Sequence, residues 1–412
     1  MRYVIIGNST AAVGCIEGIR SVDKTGEITL VASEKYHTYG RPLISYLLEG
    51  KTDEEHMKYR PDSFYSDNAV KTALGVTAER IDAVKKQVFC SDGSVLGYDR
   101  LLVGTGSRPI VPKFENLGCV EKKFTFMTLD DAKALEAALT PTSRVLIVGA
   151  GLIGLKCAEG IYRSCGKITV VDMADRILPS VLTPPAAERV KKHIEDVTGA
   201  SFILGDSIKG FEKKGEAYIG ITSSGRETEF DVLVIAVGVL PNVSLVADVG
   251  GEIGRGIVIN EKSQTTVKDI YAAGDCAEGY DISADKRRVL AILPNAYMQG
   301  FCAGVNMAGG EKVFDNAIPM NAAGFCGLHI ITAGDYSGEE TVISDGENYK
   351  ALYVRDNRLV GYIMIGNVLN AGIYTSLIRE KTPIDSIDFD MIKEKPQLMA
   401  FAKNVRVAKL NK

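Results

Sequence analysis

The stretch RVLIVGAGLIG, residues 144–154, decides the fold of this chain. Its first half is an apolar strand, and its glycines then turn the chain into a helix. Gly149 permits the tight turn, Gly151 lets a pyrophosphate approach the backbone, and Gly154 lets the helix pack closely on the strand. The free N–H groups and positive dipole end of the helix attract phosphate. This stretch therefore predicts a Rossmann-like βαβ unit that binds a dinucleotide.

An acidic residue follows this unit at the place where a ribose is expected. Asp172 ends the next apolar strand, and its carboxylate can bind a ribose 2′-hydroxyl while repelling a 2′-phosphate. We therefore predict NADH over NADPH. Arg176 leaves the alternative open, because an arginine just downstream could accept a phosphate. The residues predicted to bind NAD are Gly149, Gly151, Leu152, Ile153, Gly154, Asp172 and Gly238.

The same plan occurs a second time, at the start of the chain. An apolar strand at 2–6 precedes GNSTAA (residues 7–12), and a second apolar strand ends at Glu34. Here Ser9 replaces the middle glycine, and Gly7 keeps the turn. Further matches recur at one constant offset, in which Gly93, Tyr98, Asp99, Gly106 and Pro109 correspond to Gly225, Phe230, Asp231, Gly238 and Pro241. Two nucleotide-binding domains of one ancestry explain this repeat better than a solenoid does.

Composition limits the function classes. The chain has 412 residues and a net charge of −4, which does not favour nucleic acid or an acidic membrane as partner. The sequence contains neither a signal-peptide pattern nor a long apolar run, so we expect a cytoplasmic protein. None of the 8 cysteines forms a CxxC motif, and only 4 histidines are present, so we expect no metal site.

The remainder of the chain does not repeat. Residues 272–278 read as a loop and 294–308 as a helix that starts with Pro294. From about residue 317 the pattern becomes strand-rich, with turns at Asp345-Gly346 and Asp356-Asn357 and a closing helix near 368–380. The tail, 391–412, is basic. The predicted fold class is α/β, with two Rossmann-like domains followed by an α+β domain.

Together these motifs resemble the FAD- and pyridine-nucleotide-dependent oxidoreductases of the glutathione-reductase superfamily. Within it, the chain is similar to the branch of NADH:rubredoxin reductases, ferredoxin reductases, NADH oxidases and the flavin part of NADH nitrite reductases. The resemblance implies an FAD domain at 1–110 and 241–316, an NAD domain at 111–240 and a carboxy-terminal interface domain at 317–412. The motifs are GNSTAA (7–12), YGRPLISYLL (39–48), VGTGSRP (103–109), GAGLIG (149–154), VGVLPN (237–242) and YAAGDCAE (271–278).

The resemblance also implies which residues hold FAD. Asp275 should hydrogen-bond the ribityl chain or a phosphate, Val76 should meet the adenine through its backbone, and Asn295 and Ala296 should face the flavin pyrimidine ring. A helix N-terminus there would stabilise the charge of reduced flavin. The complete predicted FAD set is Gly7, Ser9, Thr10, Ala11, Glu34, Arg41, Pro42, Val76, Thr105, Gly106, Asp275, Asn295 and Ala296.

The chain departs from its relatives at the redox cysteines. Disulfide reductases of the superfamily carry a CxxxxC pair after the FAD helix, and single-cysteine members carry one thiol near the position of Tyr39. Neither is present in this sequence. Electrons should therefore leave directly from the flavin.

A second departure concerns a lysine–glutamate pair that many relatives place beside the flavin. In this chain those positions are Tyr46 and Lys156. Our hypothesis is that both are catalytic, with Lys156 near flavin N5 and the nicotinamide, where a cation favours the anionic reduced flavin. The alternative is an exposed helix lysine.

The basic run Lys286-Arg287-Arg288 lies just before the predicted flavin-facing helix. It either docks an acidic electron carrier or is a solvated loop. The leading function is an NADH oxidoreductase that passes electrons through FAD to a rubredoxin- or ferredoxin-type iron–sulfur protein or to a partner redox subunit. A peroxide-forming NADH oxidase and a non-catalytic FAD-binding subunit are the alternatives. Both a dimer and a larger redox complex remain open.

Overall fold

A computed structural model describes residues 1–410 of the chain. Its first sheet is parallel and has Arg2–Ile6 at its centre, with Ile6 opposite both Val31 and Val103. The edge strand Ile270–Ala272 comes from far along the chain, so the polypeptide leaves this sheet and later returns to it. The strands in spatial order are Ile270–Ala272, Arg100–Val103, Arg2–Ile6, Glu27–Ala32 and Val70–Leu74.

The second sheet repeats this arrangement. Arg144–Val148 is central and parallel to its neighbours, with Val148 opposite Val171 and Ile235. In both sheets the glycine turn therefore follows the central strand at the carboxyl edge, where nucleotides bind in open α/β sheets. The spatial order is Ser201–Leu204, Lys167–Asp172, Arg144–Val148, Val232–Ile235 and Lys123–Phe124.

The third sheet is antiparallel. One face packs towards the nucleotide-binding part through Tyr349, Tyr353 and Ile363, and the other packs on helix Ala371–Arg379 through Tyr362. The two predicted turns, at 345–346 and 356–357, join neighbouring strands. The predicted fold class, two Rossmann-like domains and an α+β domain, is thus confirmed. The strands in order are Met320–Phe325, Leu328–Gly334, Arg358–Ile365, Asn348–Arg355 and Glu339–Asp345.

Small sheets and helices complete the fold. Within residues 1–410, no helix combines the length and apolar character that crossing a bilayer requires. The remaining strands are Ala78–Asp82, Gln87–Cys90, Val95–Gly97, Ser107–Pro109, Ile208–Lys214, Ala217–Thr222, Glu227–Phe230, Val239–Pro241, Ile257–Val258, Ala277–Asp281 and Lys286–Val289. The helices are Thr10–Val22, Ile44–Leu48, Phe64–Asp67, Leu129–Ala138, Leu152–Ile161, Pro184–Thr198, Ser244–Ala247, Leu293–Met307, Ala371–Arg379, Phe389–Glu394 and Lys403–Leu410.

Two of these helices pack unusually closely. Thr10–Val22, the first fingerprint helix, lies against Leu293–Met307, the returning helix. A Cβ atom on Gly14 would overlap the carbonyl oxygen of Tyr297, and one on Gly300 would overlap that of Ala11. Only glycine allows the two backbones to come so near. This packing fixes the N-termini of both helices beside one another.

Candidate functional site

A cavity of about 610 Å³ opens at the carboxyl edge of the first sheet. Its volume lies in the range of cofactor and ligand pockets. Its walls come from the first glycine turn, the segment after Ala32, the 104–109 loop and the start of the returning helix. The predicted FAD residues that line it are Gly7, Ser9, Ala11, Glu34, Arg41, Thr105, Gly106, Asp275 and Ala296.

The glycine turn leaves no room for a side chain. Gly7 has a φ of +112°, and a Cβ atom there would overlap the carbonyl oxygen of Gly104. Ser9 is the N-cap residue of the first fingerprint helix, and its side chain makes no capping hydrogen bond to the helix. The N–H groups of the first helical turn are therefore available to an anion in the cavity.

A polar cluster joins the cavity wall to the neighbouring domain. The Tyr39 hydroxyl donates to Glu34 (2.6 Å) and accepts the backbone N–H of Leu129 (3.0 Å). Arg41 pairs with Glu34 and donates to the carbonyl of Met127 at 3.2 Å. Burial raises the pKa of Tyr39 well above its ordinary range, so its hydroxyl stays protonated and donates. Tyr39 is thus a structural donor.

Four predicted FAD residues lie outside the cavity lining. Thr10 is buried in the first fingerprint helix, and Pro42 is exposed beside Arg41. The N–H of Val76 donates to Ala32 at 3.0 Å and so continues the strand pairing. Asn295 is fully buried and donates to Ile318 at 2.9 Å.

Residues next to two of these positions line the cavity. Thr77, Ala78 and Glu79 line it beside Val76, and Leu293 and Ala296 line it beside Asn295, whose side-chain amide donates to the carbonyl of Ile318. The roles of Val76 and Asn295 toward FAD stay predictions. His37 and Asn242 are further lining residues that the sequence reasoning missed.

The second glycine turn has the same geometry as the first. Gly149 has a φ of +117° and no room for a Cβ atom against Ala236, whereas Gly151 faces open space and starts the helix Leu152–Ile161. The Asp172 carboxylate accepts the N–H groups of Ala150 (2.6 Å) and Ala174 (2.8 Å). Strand, turn and acid therefore meet at one edge of the second sheet, as predicted. Gly238 (φ +123°) lies between strand Val232–Ile235 of this sheet and strand Val239–Pro241.

Arg176 is engaged inside its own loop. Its guanidinium donates to Asp175 at 2.8 Å and, at 3.4 Å, to the carbonyls of Pro179 and Leu182. Because these groups already hold it, Arg176 is poorly placed to read a 2′-phosphate.

Lys156 and Tyr46 lie together, although neither lines the cavity. The Lys156 Nζ is 4.4 Å from the centre of the Tyr46 ring and 3.1 Å from the carbonyl of Gly324, and it pairs with Glu159. Its side chain is only 17% exposed, so it is not the solvated helix lysine that was the alternative. Glu159 also accepts the N–H of Cys326 at 2.7 Å. The cluster thus links the parts of the chain that carry the first, second and third sheets.

A family model described as pyridine nucleotide-disulphide oxidoreductase matches residues 1–300. The chain belongs to this family. A second model, described as the rubredoxin NAD+ reductase C-terminal domain, matches residues 319–382. This chain is therefore an FAD-dependent oxidoreductase that uses NADH.

Individual relatives cover three quarters of the chain or more. The epsilon subunit of NADH-dependent phenylglyoxylate dehydrogenase from Aromatoleum evansii is 29% identical over 392 residues, covering 93% of this chain and 92% of that protein. An NADH oxidase from Methanocaldococcus jannaschii is 31% identical over 326 residues, covering 76% and 71%. The structure of a covalent putidaredoxin reductase–putidaredoxin complex aligns with a TM-score of 0.87 at 25% identity, covering 95% of this chain and 98% of that one.

The cavity suits the FAD of this family. The turn around Gly7 gives a phosphate access to backbone N–H groups, and Glu34 can accept hydrogen bonds from a ribose with the lone pairs that Tyr39 and Arg41 leave. Asp275 faces the same space and accepts from the Ser107 hydroxyl at 3.3 Å. None of the cavity-lining residues in the described part of the chain is a cysteine.

Asp275 gives this oxidoreductase a predicted pH signature. Burial raises the pKa of its carboxyl, an effect that Ser107 and Arg41 only partly offset. An acid whose pKa is raised by folding is protonated in both states at a pH below its unfolded pKa, so it does not affect the free energy of unfolding there. As the pH rises above the unfolded pKa, the acid ionises more readily in the unfolded state and lowers the stability of the fold. Asp275→Asn should therefore raise the melting temperature of the FAD-free protein at about pH 7 but not at about pH 4. An equal rise at both pH values would contradict the assignment.

Lys156→Met should lower the stability of the fold and slow the reduction of the flavin by NADH. It leaves the carboxylate of Glu159, which is 4% exposed, without its cation, and breaking such a buried pair costs about 3 kcal/mol. If Lys156 lies near the flavin, stopped-flow reduction by NADH should also slow, by about tenfold. The double variant Lys156→Met/Glu159→Gln separates the two effects, because it should regain stability and not rate. A single variant that keeps its full rate refutes the catalytic hypothesis.

The basic run is part of a strand. Lys286, Arg287 and Arg288 form an antiparallel strand with Ala277–Asp281 and are not a solvated loop. Arg288 pairs with the fully buried Asp281, so its charge is neutralised and is not available to a partner at the surface. Lys286 and Arg287 stay exposed. Any docking by this run would depend on those two.

Proposed function

We propose that this oxidoreductase takes hydride from NADH onto FAD and passes the electrons to an iron–sulfur protein of the rubredoxin or ferredoxin type. The observation that carries the proposal is the thiol-free cavity. Tyr39, bound to Glu34 and to the N–H of Leu129, stands where a redox cysteine would relay electrons in relatives. The match of residues 319–382 to the rubredoxin NAD+ reductase C-terminal domain supports this class of acceptor.

The protein's own residues provide binding and electrostatics. Bound FAD supplies the two-electron acceptance from NADH and the one-electron release that an iron–sulfur centre requires. The first fingerprint helix and the returning helix direct their N-termini at the cavity, which favours anionic groups there. Asp172 selects a ribose that carries no phosphate, and Lys156 adds a positive charge beside Tyr46. We propose that the predicted FAD and NAD residues bind those cofactors and that Lys156 and Tyr46 are catalytic.

Charge supports an acidic partner. Lys286 and Arg287 are exposed on their strand, where the Arg287 guanidinium also donates to the carbonyl of Ile259 at 2.7 Å. The carboxy-terminal segment carries Lys393, Lys395, Lys403 and Arg406 on a chain of net charge −4. The last predicted tail cation, Lys412, lies outside the described residues. One relative is named as a subunit of a larger NADH-dependent dehydrogenase, so we include an iron–sulfur subunit of such a complex among the acceptors. We further propose the domain division given above and a cytoplasmic location.

The competing reading is an oxidase. One relative bears that name, and without a cysteine in the cavity such an enzyme would form peroxide. The reductase is favoured, because the carboxy-terminal domain matches the rubredoxin reductase type. A non-catalytic flavoprotein is disfavoured by the intact geometry of both glycine turns.

The test compares acceptors for the NADH-reduced protein. We expect NADH to bleach the flavin anaerobically and rubredoxin or ferredoxin to restore its colour far faster than air does. Rising salt should slow this step, since it screens attraction between the partners. Lys286→Ala/Arg287→Ala should reduce that salt dependence, whereas Lys85→Ala, in a turn of another sheet, should not. Faster reoxidation by oxygen than by either carrier would identify an oxidase.

A further inference from the structure

The loop after Asp172 holds the second glycine turn in place. The N–H of Leu178 donates to the carbonyl of Ala150, inside the fingerprint, at 2.9 Å. Ile177, Leu178, Val181 and Leu182 are buried, so the loop is anchored by packing as well. Loop and turn therefore form one unit around Asp172.

A residue of the carboxy-terminal domain reaches this loop. The hydroxyl of Tyr336 donates to the carbonyl of Val181 at 2.8 Å. Tyr336 follows strand Leu328–Gly334, and its ring lies 5.0 Å from that of Tyr353. Burial raises the pKa of Tyr336 to about 12, so the hydroxyl is a donor throughout the neutral range.

The segment that carries Tyr336 is itself fixed on its other side. Asp335 pairs with Arg355 at 3.0 Å, and Arg355 donates to the carbonyl of Ser283 at 2.8 Å. Ser283 follows strand Ala277–Asp281 of the FAD-side part of the chain. Tyr336 thus stands on a segment braced against one nucleotide-binding domain while it contacts the other.

We propose that Tyr336 is a positioning residue for the adenosine half of NADH. Its hydrogen bond fixes the Val181 carbonyl, and the loop in turn fixes Ala150 and Asp172 against the ribose. This inference rests on the proposed placement of that ribose at Asp172. The role is expected at the adenosine end, because the Tyr336 hydroxyl donates to the loop beside Asp172 and Tyr336 does not line the FAD cavity.

Tyr336→Phe tests the proposal, with Tyr374→Phe as the matched control. Each change removes one tyrosine hydroxyl that donates to a backbone carbonyl; that of Tyr374 donates to Ile392 at 2.6 Å and not to the loop. We expect Tyr336→Phe to raise the Kd of ADP-ribose about fivefold, the effect of one net hydrogen bond, and to raise the KM for NADH likewise. The kcat at saturating NADH and the FAD spectrum should not change. Tyr374→Phe should leave ADP-ribose binding as it is.

A third variant separates this inference from the function beneath it. Asp172→Asn should weaken ADP-ribose binding, and if it does not, the ribose is not at Asp172 and the proposed placement fails. If Asp172→Asn weakens binding and Tyr336→Phe does not, Tyr336 has no positioning role. Equal weakening by both tyrosine variants would indicate general loosening of the carboxy-terminal domain and would also overturn the proposal.

Discussion

Gly300→Ala should yield a protein that no longer retains FAD. The added methyl group would overlap the backbone oxygen of Ala11, which cannot move without shifting the first fingerprint helix. Overpacking of this kind costs about 3 kcal/mol. The displaced helix starts at the cavity beside Ser9, so the loss should appear as a colourless protein after gel filtration and as a lower melting temperature.

A helical glycine elsewhere gives the control. Gly372 lies in helix Ala371–Arg379, and a Cβ atom on it would meet nothing within 4 Å. Gly372→Ala should leave FAD content unchanged and should slightly stabilise the protein, because alanine is the better helix former. Full flavin content in Gly300→Ala would show that close helix packing does not set the cavity.

Asp172→Ala/Met173→Arg should change the preferred nucleotide from NADH to NADPH. The first change removes the carboxylate that repels a 2′-phosphate, and the second places a guanidinium at the adjacent position, whose side chain is 79% exposed. Charged hydrogen bonds contribute roughly 1.5–3 kcal/mol each, so the ratio of kcat/KM for the two nucleotides should shift by about 100-fold or more.

Absolute activity should fall in the same variant, because Asp172 also holds the N–H groups of Ala150 and Ala174. Met173→Arg alone is the control: it adds the cation but keeps the carboxylate, and NADH should stay preferred. An unchanged preference in the double variant would mean that the adenosine ribose lies elsewhere.

The sequence predicted the features that depend on local backbone chemistry. The glycines at 7 and 149 are required by positive φ angles within a few residues of the strands they follow. Apolar runs on either side identified the two parallel sheets, because buried parallel strands are continuously apolar. These signals need no knowledge of distant parts of the chain.

Contacts between residues far apart in the sequence could not be predicted. Residues 77–79 line the cavity beyond the end of the strand that pairs with Glu27–Ala32. The side-chain amide of Asn295 donates to the carbonyl of Ile318. Arg288 pairs with Asp281 across a hairpin, and Tyr336 contacts Val181 from another domain. The spacing of residues along the sequence predicts neither the Arg288–Asp281 pair nor the Tyr336–Val181 hydrogen bond.

The central claim is that NADH reduces FAD directly and that no thiol stores electrons. Anaerobic titration of the FAD-loaded protein with NADH, followed by quantification of free thiols, tests it most directly. We expect one NADH per FAD to complete the bleaching and the number of reactive thiols to stay constant. A requirement for a second equivalent of NADH, accompanied by newly formed thiols, would contradict the account.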